Sequence, residues 1–378
     1  MRRLISTFAL LAAFILPGCG GASNSGNGGN SQHEVLYAAY YTPNGGGAGG
    51  HIVPMTINPG TGTLTQLSPV LGPGNAVTIA VDPAEKFLYS SDFNTNTVYG
   101  YSVDASSGNL TPVAGSPYTN PFFGNGGPLA IDPVGNFLFV ADSVGDLVAY
   151  IRNPDGTLTL STAPAVQDTY QPIELVVAPS GKFLYAANHS DFTGGGQISV
   201  YSIDGTTGGL TEISGSPFNF VQSNSEPWGL ALSANGSYLF TALSNANQIA
   251  VLGVNSSTGV VTAIANSPFP AGASLPEQLL LSPSGKYLYA GNASVSSITS
   301  FSISSSSGAP TEVGNLQTTA YFTLAIDPDG KYLFSSPGKL SLQATVWQID
   351  QSTGGLSQLG SIPSVNGAPT AMAVIALP

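Results

Sequence analysis

Few side chains in this sequence can do acid–base chemistry, because only 7% of its 378 residues are charged and only three are histidines. One segment gathers suitable groups: Asn188-His189-Ser190-Asp191-Phe192 places an imidazole and a carboxylate two residues apart. Glu174 lies one strand-like run upstream. A hairpin between the two would bring Glu174, His189 and Asp191 to one end of a sheet, where an imidazole and a carboxylate can share a proton. Carboxylate oxygens from Asp142, Asp146, Glu174 or Asp191 could cage calcium, which takes six to eight oxygen ligands, although no ordered spacing supports such a site. No Gly-rich phosphate cradle leads into a helix. The run GGGAGG at 45–50 sits between strand-like segments and has no helix dipole behind it.

A second set of residues suits recognition rather than turnover. Tyr118, Phe122, Phe123, Tyr170, Phe218, Phe220, Trp228, Tyr321 and Phe322 recur in loops that also carry Glu226, Glu277 and Gln278. Aromatic faces beside carboxylates and amides are the chemistry of neutral sugar recognition, the ring supplying apolar area and the polar groups orientation. Trp228, Tyr170, Glu226, Glu277, Gln278 and Tyr321 are the ligand-binding candidates.

The charge balance narrows the partners. Eight basic against 20 acidic residues give a net charge of −12. A polyanion partner needs Lys and Arg patches from which counterions are released, so nucleic acid is not expected. The single cysteine excludes an intrachain disulfide and a cysteine-cluster metal site.

That cysteine follows Arg2-Arg3, an apolar run over 4–16 and Pro17-Gly18. The run is too short to span ~30 Å of hydrocarbon at 1.5 Å per residue and reads as a signal peptide. Leu16-Pro17-Gly18-Cys19 resembles the bacterial lipobox, so Cys19 is the expected lipidation site. The expected organisation is a signal peptide at 1–18, a lipidated Cys19 and a flexible Gly/Ser/Asn tether over 19–33, and a folded body at 34–378. The expected location is the bacterial cell envelope, periplasmic or at the outer membrane. The membrane would be met through the lipid alone, with a glycan or an envelope protein as possible partner and a monomeric body.

The elements that must position these groups are written as a repeat. VDPAEKFLYSSD, IDPVGNFLFVAD, VAPSGKFLYAAN, LSANGSYLFTAL, LSPSGKYLYAGN and IDPDGKYLFSSP recur at intervals of 45 to 55 residues. An independent marker, a Gly turn before a short strand, appears seven times at Gly62, Gly108, Gly156, Gly208, Gly259, Gly308 and Gly354. Each unit holds four short strand-like runs, and no helical apolar period appears after the tether. Four strands per unit is the blade of a β-propeller. The chain enters at the second strand of a unit and ends on a first strand. The expected fold is therefore all-β: a seven-bladed β-propeller of four antiparallel strands per blade, its ring closed by N- and C-terminal strands in one blade.

The turns opposite the predicted mouth hold Lys86, Lys182, Lys286, Lys331 and Arg152, expected to be solvated, and Asp82, Asp132 and Asp327, expected to cap the turns. The mouth loops hold Asp92, Asp142, Asp146, Asp168, Glu174, Asp191, Glu226 and Glu277 against one lysine, Lys339. That entrance should be acidic and repel anions.

The units GKFLYAAN and ISVYSIDGTTGGLT, with GSPF at 215–218, resemble the lactonase family of seven-bladed propellers, which includes a bacterial 6-phosphogluconolactonase. They are similar also to repeats of surface-exposed propeller proteins. The resemblance covers nearly all of 35–378 and implies this fold and lactone hydrolysis. Where the phosphogluconolactonase pattern has an Arg-His pair and a Glu, this chain has Trp228-Gly229 and Ser244. Where the pattern later has Glu, Arg, Arg and His, the chain has Gln278, Leu280, Ala293 and Val295. Two readings follow: an envelope lipoprotein that binds a neutral or cationic ligand on an acidic, aromatic face, and a divergent lactone hydrolase using Glu174 and His189.

Overall fold

Seven four-stranded antiparallel sheets stand around a central channel, each with its first strand innermost and its last at the rim. The computed structural model describes residues 33–40, 50–120, 124–168, 171–189, 196–219, 225–294, 296–318, 323–337, 344–363 and 369–377. The inner strands are Ala76–Val81, Gly126–Ile131, Gln171–Val177, Pro227–Leu232, Pro276–Leu281, Thr323–Ile326 and Pro369–Leu377. We number the blades one to seven in that order. The chain is an all-β, seven-bladed β-propeller, and among the described residues no helix is long and apolar enough to cross a membrane.

The ring closes in blade seven. The last strand, Pro369–Leu377, pairs antiparallel with the first, His33–Tyr40, which pairs in turn with Gly50–Ile57. The first and last strands of the propeller are thereby held in one sheet, so closure needs no covalent bond.

The middle strands explain the FLYAA-type runs. Leu88, Leu138, Leu184, Leu239, Leu288 and Leu333 are fully buried, as is the Tyr or Phe that follows each of them. Successive side chains point to opposite faces of a sheet, and here both faces meet a neighbouring blade, so alternation gives way to continuous apolar sequence. The Tyr hydroxyls also stitch blade to blade: Tyr37 donates to the Gly108 carbonyl at 2.9 Å and Tyr89 to that of Gly156 at 2.7 Å. The glycine of the recurring turn is required there. Gly156 has φ +83°, and an added Cβ would fall 2.2 Å from the Phe87 ring of the neighbouring blade.

The turn aspartates cap as expected. Asp82 accepts from the Lys86 and Phe87 amides at 2.7 Å each, Asp132 from Phe137 at 2.6 Å and Asp327 from Tyr332 at 2.8 Å. Arg152 corrects its expectation as a solvated turn residue. Its guanidinium lies 3.9 Å from Asp82 of the preceding blade, donates to the Gly135 carbonyl and stacks 5.5 Å from the Phe87 ring. A guanidinium suits this position because it can stack and donate together.

The rim departs from four plain strands. In five blades the outer strand is broken and a short second piece, such as Phe218–Asn219 in blade three, returns to the third strand. The serine before the proline fills the gap in the ladder: Ser116, Ser216 and Ser267 Oγ accept from the amides of Gly100, Val200 and Val251, at 2.9 Å each. This is the structural meaning of the GSPF-type motif. It also relocates two expected mouth aromatics, since Tyr118 and Phe218 pair at the rim and pack into blade clusters.

Candidate functional site

Inner strands from all seven blades enclose a cavity of about 400 Å3. Two carboxylic acids, Glu174 and Glu277, face it, with Phe93, Trp228, Gln171 and Gln278 as the other large polar or aromatic groups on its wall. No Lys, Arg or His lines it among the described residues.

Bulges put these groups there. Six inner strands slip register near their start, in blade four between Pro227 and Leu230 and in blade five between Pro276 and Gln278. The residues left unpaired are Trp228 with Gly229, and Glu277, and a bulge re-aims the side chains it carries. In blade three the slip lies between Pro172 and Glu174, which sets Glu174 opposite Ala187. Gly229 lets blades four and five close on each other, because a Cβ there would come within 2.7 Å of the Glu277 carbonyl and the Leu279 amide.

The apolar wall decides the charge state of the acids. Removal from water disfavours a carboxylate. Burial pushes the Glu174 carboxyl up from 4.5 to about 8, with no charged neighbour contributing. Glu277, less deeply enclosed, is raised by the same cause. At neutral pH Glu174 therefore carries its proton and can donate it.

His189 does not meet Glu174, which corrects the expected pairing. It is the last residue of the strand Phe183–His189 and stands opposite Gln171, while Glu174 stands opposite Ala187 further along the ladder. His189 instead reaches across to blade four, its Nε2 3.4 Å from Glu226 Oε2. The imidazole meets the Trp228 indole edge-on, with ring centroids 5.5 Å apart and planes at 77°. His189 and Glu226 are outside the cavity lining and touch it through Trp228. Asp191, Tyr170, Tyr321 and Cys19 lie outside the described residues, as do Phe122, Phe123, Phe220, Phe322 and Lys339.

The acidic entrance is smaller than its sequence suggests. Asp92 and Asp142 are fully buried and Asp168 nearly so. Asp92 accepts from the Gly74 and Asn94 amides, and Asp142 from those of Gly124, Val144 and Asp146. Asp168 accepts from Asn188 Nδ2 and, at 2.6 Å, from the Tyr201 hydroxyl. These carboxylates tie loops to strand ends. The calcium expectation weakens with them, because Asp142 is occupied by amide donors and no three His, Cys, Asp or Glu side chains are grouped to hold a metal ion among the described residues.

The match to the model of the lactonase family, described as a 7-bladed β-propeller, runs over residues 34–168, 156–275 and 270–374. The chain belongs to this family. A protein of Arthroderma benhamiae named "Probable 6-phosphogluconolactonase" is 30% identical over 198 residues, 49% of this chain and 48% of that protein, so the chain spans about half the length of that relative. Among solved structures, the periplasmic gluconolactonase of Pseudomonas aeruginosa superposes with a TM-score of 0.74 at 18% identity, covering 92% of this chain and all of that one. A 6-phosphogluconolactonase candidate of Bacteroides uniformis gives 0.73 at 21% identity, again over 92% of this chain and all of that one. These likenesses below 25% identity establish the fold.

Trp228, Gln278 and Leu280, which the sequence comparison set against charged positions, all line the cavity.

Proposed function

We propose that this chain hydrolyses an uncharged lactone of sugar size in the central cavity. The observation that carries the reading is Glu174, a carboxylic acid kept protonated at neutral pH by its apolar surroundings, in a cavity whose described lining holds no cation. Family membership supplies the reaction class, and the solved neighbour that is a periplasmic gluconolactonase supports an unphosphorylated substrate.

Two carboxyls in unequal surroundings divide acid and base work between them. Glu277, the less enclosed, ionises first and accepts a proton from the attacking water. The water oxygen bonds to the lactone carbonyl carbon, the acyl–oxygen bond of the ring breaks, and Glu174 delivers its proton to the departing ring oxygen. The product is an open hydroxy acid. Trp228 offers a flat apolar wall for the sugar ring, and Gln171 and Gln278 offer amides to its hydroxyls. A phosphorylated lactone would enter with no cation to receive its phosphate.

The test is pH-stat hydrolysis of δ-lactones of neutral sugars, corrected for spontaneous opening, by wild type, Glu174→Gln and Glu277→Gln. Catalysed turnover should be lost in both variants and should fall in wild type above about pH 8, as Glu174 loses its proton. Undiminished turnover in both variants would refute the assignment. Binding without turnover is the second reading, favoured by the Trp228 wall, and would leave wild type inactive while a sugar lactone or glycan still perturbs Trp228.

The reading extends to the compartment. The apolar run over 4–16 before Cys19 supports export and lipid anchoring of a monomeric body in the cell envelope, where neutral sugar lactones can reach it. Palmitate labelling present in wild type and absent in Cys19→Ala is the expected result, and unlabelled wild type would overturn it.

A further inference from the structure

His189 and Glu226 take no part in the proton transfers above, yet they make the one imidazole–carboxylate contact among the described residues. Both side chains are largely withdrawn from solvent, 21% and 16% exposed. The pair joins blades three and four where the inner strand of blade four begins, two residues before Trp228. We propose that His189, fixed by Glu226, is a positioning residue that holds the Trp228 indole as the recognition wall of the cavity.

Three observations carry this. Trp228 sits on a bulge, so its side chain is aimed without a directly paired partner in the ladder. The only ring that meets it among the described residues is His189, edge-on at 5.5 Å. His189 is itself held from two sides: its strand pairs with Gln171 of the cavity wall, and its Nε2 meets Glu226. The neighbouring Asn188 is buried and pinned by Asp168, which stops the strand end from fraying.

The part concerning substrate rests on the lactone reading; the holding of Trp228 by His189 does not. The chain has two tryptophans, and the other, Trp347, is buried in blade six with its Nε1 bonded to Ser335. In Trp347→Phe, emission therefore reports Trp228 alone. Removing the imidazole in His189→Ala should shift the emission maximum of Trp228 and raise its quenching by acrylamide, because the indole loses the ring that holds it. Should Trp347→Phe not fold, the wild-type minus Trp228→Phe difference spectrum reads the same change. With lactone as substrate, His189→Ala and Glu226→Gln should each raise KM about threefold to tenfold, the worth of one aromatic contact. They should leave kcat within about twofold, with the double variant no worse than the single ones. His189→Gln, which keeps a planar polar group against the indole, should recover part of the loss.

Unchanged Trp228 emission and quenching in His189→Ala overturn the positioning role whether or not the protein is a lactonase. A loss confined to kcat in His189→Ala overturns the positioning role by placing the imidazole on the reacting atoms. Absence of turnover with a changed Trp228 emission in His189→Ala upholds the positioning role and counts against the lactone reading alone.

Discussion

The ring closure should be pH-sensitive through Glu34, and the effect can be sized. Glu34 lies on the first strand of the closing blade, is 6% exposed, and takes a hydrogen bond from the Asp329 amide of blade six. Burial first, then the charges of Asp327 and Asp329, push its carboxyl from 4.5 to about 7, with Lys331 pulling the other way. Asp327 beside it is also raised, to about 6, chiefly by burial. A raised carboxyl binds its proton more tightly in the folded than in the unfolded chain. Its contribution is therefore complete below about pH 4.5, declines as pH rises to about 7, and is level beyond. At about 1.36 kcal/mol per pKa unit, the ionised group costs the folded state about 3 kcal/mol at pH 8.5. Glu34→Gln removes the ionisation and keeps an oxygen for the Asp329 amide. The variant should match wild type near pH 4.5 and exceed it by up to about 3 kcal/mol at pH 8.5. With unfolding entropy of about 2.1 cal/mol/K per residue, that is a rise of about 4 °C in Tm for a body of this size. Thermal melts at pH 4.5, 6, 7 and 8.5 measure it. A Tm difference that does not change with pH would refute the argument, because a pure packing effect has no proton linkage.

Other outcomes are open to the same kind of measurement. Glu85 of blade one takes a hydrogen bond from Ala376 on the last strand and is raised chiefly by burial, so Glu85→Gln should show the same sign, stabilising at alkaline pH. Arg152→Ala leaves the buried Asp82 without its cation and should cost about 1–3 kcal/mol in urea unfolding; Arg152→Lys should not restore it, since a lysine cannot stack on Phe87 and donate to Gly135 together. Gly229→Ala drives a Cβ into the backbone of the neighbouring inner strand and should lower stability by about 1–3 kcal/mol, while changing KM for any cavity ligand more than a rim substitution does.

Fold was legible in the sequence for a physical reason. A propeller repeats its turns, and turns demand particular residues: glycine where φ is positive, as at Gly156, and aspartate where amides need a cap, as at Asp82. Those residues recur at blade spacing whatever the blade faces bind, and the phase of the two chain ends reveals the closure. The cavity wall was half legible. Glu174, Trp228, Glu277 and Gln278 were candidates because they stand near inner-strand starts, and they do share one cavity. The partners were not legible. A bulge has no compositional signature, so nothing marked the slip that sets Glu174 opposite Ala187 and leaves His189 to Glu226. The expectation for Asp92, Asp142 and Asp168 failed in a different way. Sequence places a carboxylate in a loop but does not show which loop amides lack partners, and here those amides draw the side chains inward.

With those three aspartates withdrawn, the ionisable groups among the described lining residues of the cavity are Glu174 and Glu277, both acidic. On the lactone reading the consequence concerns product as much as substrate, because a neutral lactone costs little to bring into an apolar chamber whose main acid is protonated. Ring opening would leave the product carboxylate beside the net negative charge shared by the Glu174–Glu277 pair, with no cation among the described lining residues to hold it. The reaction would thus turn a ligand the cavity accepts into one it repels, and release should be fast. A cavity that kept the cations of the phosphogluconolactonase pattern would bind the phosphorylated substrate and retain its acid product by the same charges. The predicted signature is weak product inhibition: the hydroxy acid should inhibit with a constant at least tenfold above KM, and Glu277→Gln, though inactive, should bind that acid more tightly than wild type does. Tight binding of the acid to wild type would contradict this account of the cavity.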